Sequence, residues 1–227
     1  NFLFLFTSDH GGQWPRGKWN LYDTGTRIPM IVSWPGVISK NERTNAMVSW
    51  VDIVPTLIDV AGAQSAKGID GQSFLRVLNG KKADHRDRIF TTHTGDGTMN
   101  IFPIRSVRIG KYKYIHNLRP DAYFTNHSDR LRKDRAGAYW DSWDQAAKSD
   151  PKATAIIRGY YTREEFELFD LEADPMENDN LAPNPEFRDV MNGLRRELAA
   201  WAESQGDELE PHRDPYLVSE PIPDLRK

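Results

Sequence analysis

An apolar run of strand length, Phe2 to Phe6, stops at Thr7-Ser8-Asp9-His10-Gly11-Gly12. A run that is continuous rather than alternating predicts a strand covered on both faces, and such strands belong to α/β sheets with helices above and below. Neighbouring strands of that kind are scarce downstream, so the chain is expected to be the C-terminal piece of a longer one. At 227 residues it suffices for one domain or one and a half. With 38% apolar residues and no long uncharged apolar run, it is not a membrane span, a coiled coil or a wholly disordered chain. The balance of 30 Lys and Arg against 33 Asp and Glu argues against nucleic acid as the main partner. The lack of cysteine removes disulfide frameworks, thiolate zinc sites and cysteine nucleophiles from these residues.

The first 84 residues read as the α/β part. Ile28 to Trp34 is a second apolar strand ended by Pro35-Gly36. Asp52 is expected to cap a helix running to Ala61, and a short helix follows around Ser73 to Leu78. Beyond Arg88 the grammar becomes antiparallel: Ile89 to His93 is a strand, Arg105 to Ile115 a hairpin turning near Gly110, and Phe166 to Leu171 a further strand. Asn184-Pro185 opens a helix whose Phe187, Val190, Met191, Leu194, Leu198 and Trp201 share one face. The expected organisation is an α/β part over 1–84, a small antiparallel sheet with a packing helix over 85–206, and a surface tail over 207–227. Residues 119–163, poor in aliphatics, read as a long loop inserted in the second part, and such loops are usually functional or disordered. No internal repeat is present.

In open α/β sheets ligands gather at the carboxyl ends of strands, which is where Asp9 and His10 fall. Aspartate offers a hard anionic oxygen and histidine a neutral nitrogen, both metal-ligand types. Taken alone, the pair is read equally well as a turn-capping aspartate beside a surface histidine. Lys18, in Gly17-Lys18-Trp19-Asn20, is a compact charge with three donors, suited to a tetrahedral oxyanion. Most loop lysines are merely solvated. What distinguishes Lys18 is that Leu21 to Pro29 leads directly into the second strand, returning the loop to the same sheet edge.

The stretch TSDHGGQWPRGKWNLYDTGTRIPMIVSWPG resembles a segment shared by sulfatases of the alkaline phosphatase superfamily. There an Asp-His or Asp-Asn pair precedes glycine, and a Gly-Lys precedes a Tyr-(Glu/Asp)-x-Gly-x-Arg-x-Pro run. VDIVPTL at 51–57, DGQS at 70–73 and the closing FELFDLEADPMENDNLA are similar to further landmarks of the family, in the same order. The resemblance implies the end of a mostly parallel sheet flanked by helices, then a small antiparallel sheet. It implies Asp9 and His10 as two ligands of one divalent cation, normally Ca²⁺, and Lys18 as the catalytic lysine contacting sulfate. In that family a cysteine or serine of the N-terminal half is oxidised to formylglycine, whose hydrate attacks sulfur before sulfate is eliminated. The Cys/Ser-x-Pro-x-Arg motif of that step is not in this sequence, so the resemblance implies a piece inactive alone, with the N-terminal half of the same enzyme as its partner.

HTGDGTMNIFPIRSV at 93–107, YKYIHNL at 112–118 and Tyr160-Tyr161 are similar to the heparan N-sulfatase branch, implying N-sulfoglucosamine of heparan-type glycans as substrate. Lysosomal members of that branch carry Asn at the position of His10 and Arg at that of Lys18. His93, Asp96 and Arg105 are the expected substrate-binding residues. Arg130, Arg132, Lys133 and Arg135, followed by Tyr139, Trp140 and Trp143, fit either a grip on a polyanionic glycan or, slightly better, an ordinary solvated face. His116 and His127 read as structural or surface histidines. Family resemblance places such enzymes in the periplasm, outside the cell or in the lysosome. Two other readings stand beside the sulfatase: a phosphodiesterase or phosphonate hydrolase of the same superfamily, and a non-catalytic glycan-binding module.

Overall fold

The computed structural model describes residues 2–64, 67–95, 100–130, 132 and 137–220. The chain forms two compact units, the first made of Asn1–Ser8 with Pro29–Ile89 and the second of Asp9–Ile28 with Phe90–Lys227.

In the first unit, β1 (Phe4–Thr7) pairs antiparallel with β2 (Met30–Ser33), Phe4 opposite Ser33 and Thr7 opposite Met30. The double-sided cover expected for the opening strand is not supplied within this unit. Phe4 and Phe6 are half exposed and Ile31 is 57% exposed. Downstream, a 3₁₀ turn at Trp50–Asp52 runs into helix α2 (Ile53–Val60), and a short α3 follows at Leu75–Leu78. Asp52 stands at the N-cap position of α2 as expected, but its side chain makes no capping bond to that helix; Ser49 is the N-cap of the preceding 3₁₀ turn. Asp52 closes a capping box by accepting the Ser49 N–H at 2.9 Å, leaving its carboxylate inside the unit rather than at the helix entrance. That carboxylate is fully buried, meets the Arg86 guanidinium and His85 Nε2 (3.1 Å), and accepts the Gln72 N–H at 2.8 Å. The hydrogen bonds from Arg86, Gln72 and Ser49 outweigh the cost of burial and hold its carboxyl below the usual range.

The second unit is built on a sheet of order β3-β4-β5-β6, formed by Arg88–His93, Ile104–Ile109, Tyr112–Asn117 and Phe166–Asp170. β4 and β5 make the expected hairpin, its turn carried by Gly110 with φ +56°, and β6 joins β5 antiparallel. Alternation sends Val107, Tyr114 and Leu168 to one face, where Leu194 and Leu198 of α7 (Arg188–Ser204) cover them. A 3₁₀ turn at Pro185–Phe187 leads into that helix, and Asn184 caps it by accepting the Glu186 N–H. Ile104, Ile115 and Phe169 face the other way, into Leu21, Tyr22, Phe102, Phe124, Trp140 and Tyr160.

Residues 119–163 therefore help to build the core. Their described part forms α4 (His127–Arg130), α5 (Trp140–Ala147) and α6 (Pro151–Tyr161), with Trp140 and Tyr160 buried against the sheet. The core here is aromatic rather than aliphatic. The tail runs beside the insertion: Tyr123 N–H donates to Tyr216 O at 2.7 Å, and Val218 N–H to Asp121 O at 2.8 Å. Among the described residues no helix is long and apolar enough to cross a membrane.

One cation ties the segment 9–28 to the sheet. Lys113, on β5, has a side chain only 4% exposed, pairs with Asp23 and Glu177 (2.9 Å), and donates to Leu21 O at 3.2 Å. Beside it Tyr22 donates to Glu167 Oε2 at 2.8 Å, and the buried Arg163 guanidinium lies on the Phe124 ring at 3.8 Å while donating to Asn20. Removing one member of a buried ionic cluster strands the others. Lys113→Met is expected to lower the unfolding free energy by about 3–5 kcal/mol, measured by urea denaturation, and a loss under about 1 kcal/mol would show that the clamp is dispensable.

Candidate active-site loop

Residues 9–27 fold back on themselves through main-chain hydrogen bonds. Gly11 N–H donates to Gly25 O (2.9 Å), Lys18 N–H to Gly12 O (2.9 Å) and Asn20 N–H to Gly17 O (3.0 Å), while the four-residue α1 (Asp23–Thr26) closes the loop. These backbones touch with no room for side chains. A Cβ on Gly11 would fall 1.9 Å from Thr24 O, and one on Gly17 1.9 Å from Gly12 O. The glycines of the Asp-His-Gly and Gly-Lys motifs are thus required by close approach of main chain to main chain.

His10 is oriented by its own backbone. Nδ1 lies 2.7 Å from Gly11 O, a carbonyl that can only accept, so this nitrogen carries the proton. In the neutral ring Nε2 is then the lone-pair nitrogen, and it faces Asp9 Oδ2 at 3.3 Å. Two acceptors brought together in this way fit a shared cation, and a ring N–H anchored on a carbonyl is the usual support of a metal-bound histidine. The Asp9 side chain is 73% exposed and that of His10 28%. Among the described residues no group of three or more His, Cys, Asp or Glu is placed to hold a metal ion. Asp9 and His10 therefore supply two donors of an oxygen and nitrogen type and need others to complete a coordination sphere.

Lys18 places its ammonium 4.3 Å from the centre of the Trp19 ring and meets no carboxylate among the described residues. Its neighbours in the same unit differ: Lys111, Lys113, Arg105 and Arg108 each meet one. Trp19 holds φ at +67°, a left-handed conformation unfavourable for a bulky side chain. Its ring packs on the His127 imidazole, centroids 4.6 Å apart. His127, at the start of α4, is buried as a structural histidine would be, yet neither ring nitrogen has a hydrogen-bond partner among the described residues. Burial first, then the charges of Lys18 and His10, hold its pKa below the ordinary histidine value. Sequence reasoning had no means of finding this neighbour, because it enters from a segment whose helices carry almost no aliphatic periodicity.

The expected substrate residues are distributed otherwise. Arg105 is 4% exposed and engaged by Asp207 of the tail (Nη2 to Oδ1 2.8 Å) and by His93 O at 3.0 Å. It braces the backbone of His93 from behind. His93 itself directs Nε2 to Asn100 O at 3.0 Å, and Asp96 lies outside the described residues. Of the basic cluster, Arg132 pairs with Asp141 and Asp144, and Arg130 lies over the Tyr216 ring at 4.6 Å, so their charge is spent within the fold. Lys133 and Arg135 lie outside the described residues.

Residues 13–132 match the family model described as N-sulphoglucosamine sulphohydrolase, C-terminal, and the chain belongs to that family. It is 30% identical over 211 residues to an ulvan-active sulfatase of Formosa agariphila, an alignment covering 92% of this chain and 39% of the relative. To the human N-sulphoglucosamine sulphohydrolase it is 29% identical, over 88% of this chain and 41% of the relative. A protein solved in complex with its substrate D-glucosamine-2-N,6-O-disulfate shares the fold with a TM-score of 0.64 at 21% identity, over 91% of this chain and 35% of the other. The chain thus spans about two fifths of the length of the curated relatives it matches.

The turn that carries His127 depends on Asp129, whose Oδ1 accepts both the Asn126 N–H and the Tyr160 hydroxyl at 2.6 Å. Burial pushes the Asp129 carboxyl up to about 6. A folded-state pKa above the unfolded one means that the folded protein holds the extra proton, so stability falls as pH rises from about 4 to about 6. Asp129→Asn mimics the protonated form. Relative to this variant, the native protein is expected to lose up to about 3 kcal/mol between about pH 4 and pH 7 in denaturation curves, and parallel pH profiles would refute the assignment.

Proposed function

We propose that this chain is the part of a longer sulfatase polypeptide that presents a cation-binding pair and a lysine to a sulfuryl group on a saccharide. Hydrolysis of a sulfate ester or sulfamate follows, with N-sulfoglucosamine of heparan-type glycans as the leading substrate. The observation that carries this reading is Lys18. Among the described residues its ammonium meets no carboxylate, on a glycine-locked loop whose first two residues are an oxygen and a nitrogen donor, whereas Lys113 and Arg105 each meet one. A positive charge kept unpaired in a rigid loop is suited to negative charge developing on a bound group.

Asp9 and His10 fit one divalent cation, Ca²⁺ by family, as two of its donors. They would hold such a cation, and it would supply charge stabilisation to a bound sulfuryl group beside the charge of Lys18. Formylglycine, in the sulfatases this chain resembles, supplies the nucleophile, and nothing in these 227 residues substitutes for it. The human relative bears the name N-sulphoglucosamine sulphohydrolase, and the structural neighbour was solved with an N-sulfated, 6-O-sulfated glucosamine. Both support an N-sulfated amino sugar. The half-exposed Phe4 and Phe6, with Ile31, form the surface on which the remaining polypeptide would pack.

In the full-length enzyme, Asp9→Ala is expected to lose the bound divalent cation, measured by metal analysis of the purified protein. Lys18→Ala is expected to lower kcat on N-sulfoglucosamine by about 10²-fold or more. Full activity in both variants would remove the reading. A substrate panel with O-sulfated and N-sulfated glucosamines then separates ester from sulfamate hydrolysis.

A further inference from the structure

Among the described residues, one buried polar group without a hydrogen-bond partner packs against this loop: His127. Its side chain belongs to the inserted segment rather than to the loop, it is nine-tenths buried, and both ring nitrogens lack partners among the described residues. Buried polar atoms are nearly always hydrogen-bonded, and an orphan in a folded protein marks strain, an unseen partner or a binding role. The surroundings discriminate among these. His127 packs on the Trp19 ring, over which the Lys18 ammonium also lies. No described group of three His, Cys, Asp or Glu forms a metal site, so His127 does not complete the Asp9 and His10 donor pair. What remains is an imidazole on the ring that also carries Lys18, a lysine that meets no carboxylate among the described residues; in its neutral form it has one donor and one acceptor.

We propose that His127 is a further substrate-contacting residue, its ring N–H donating to the same sulfuryl group whose charge Lys18 balances. The inference rests on the sulfatase reading and deepens it. A neutral donor beside a fixed ammonium is how a protein adds directional hydrogen bonding to charge without gathering two cations. Trp19 provides the scaffold: one ring, held in a left-handed turn, sets both the lysine and the imidazole. The histidine is supplied by the insertion and the lysine by the loop, so the pair forms only when both are folded on the sheet.

The test uses the full-length, metal-loaded enzyme with N-sulfoglucosamine and inorganic sulfate as probes. His127→Ala is expected to lower kcat/KM by about 10²- to 10³-fold, the range for one lost oxyanion donor, and to weaken inhibition by sulfate in the same direction. His127→Gln, which keeps an N–H donor, is expected to recover at least tenfold. In the native enzyme, sulfate is expected to shift the ¹⁵N signals of the His127 ring while sodium chloride at equal ionic strength does not. That measurement stands even if a variant fails to fold. Unchanged kinetics in His127→Ala would overturn the proposal, as would equal losses in both variants accompanied by a silent ring signal. If Lys18→Ala is inactive while His127→Ala is not, only this inference fails; if both variants remain active, the sulfatase site itself is misplaced.

Discussion

The buried pairing of Lys113 with Asp23 and Glu177 is the interaction from which the arrangement of the site follows. A lysine inside a protein is costly unless its charge is met, and here it is met from two directions, by the end of the candidate loop 9–27 and by the segment after β6. Burial drives the Glu177 carboxyl upward, and the Lys113 charge opposes it. Glu177 also accepts the Asp23 N–H, so the same carboxylate holds both the charge and the backbone of the loop. Tyr22 and Asn20 add neutral contacts on either side, through Glu167 and Arg163. The loop that carries Asp9, His10 and Lys18 is therefore positioned by the sheet of the second unit.

Charge is spent unevenly across that unit. Arg105, Arg108, Lys111, Lys113 and Arg132 are consumed by carboxylates, and Arg130 and Arg163 lie on aromatic rings. Against this, among the described residues the Lys18 ammonium meets no carboxylate and both ring nitrogens of His127 are buried without a hydrogen-bond partner, as are some other buried polar atoms such as the Asn100 amide. Sites that must receive an anion carry such groups, because groups already paired have nothing left to give.

Much of this was legible in the residues, for reasons that can be named. The hairpin at Gly110, β6 and the amphipathic α7 were written in period-2 and period-3.6 patterns, and the site motifs in their glycines. The helices between 127 and 161 were not legible. Their core side chains are Trp140 and Tyr160, which carry burial without aliphatic periodicity, although Asp150-Pro151 at the start of α6 is an ordinary helix opening. Asp52 was read as a cap because position and residue type suit one. The structure keeps Asp52 at the N-cap position of α2 but turns its carboxylate inward, to Ser49, Gln72, Arg86 and His85, partners that no local pattern reveals. The pairing of Arg105 with Asp207 was not legible, because Asp207 lies in a tail with no readable pattern.

The division of the chain into compact units cuts across the active-site loop's own flanks: β1 and β2 belong to one unit, and the residues that join them belong to the other. An exchange of modules between related enzymes would have to respect this. A chimera spliced at a boundary between a catalytic part and a C-terminal part, near residue 84, would install a foreign sheet beneath a resident loop and leave Asp23, Tyr22 and Asn20 facing strangers. The inheritable block is residues 9–28 together with the antiparallel sheet and its inserted helices, so drift in the loop and drift in that sheet are coupled through the buried contacts of Lys113, Glu177 and Glu167.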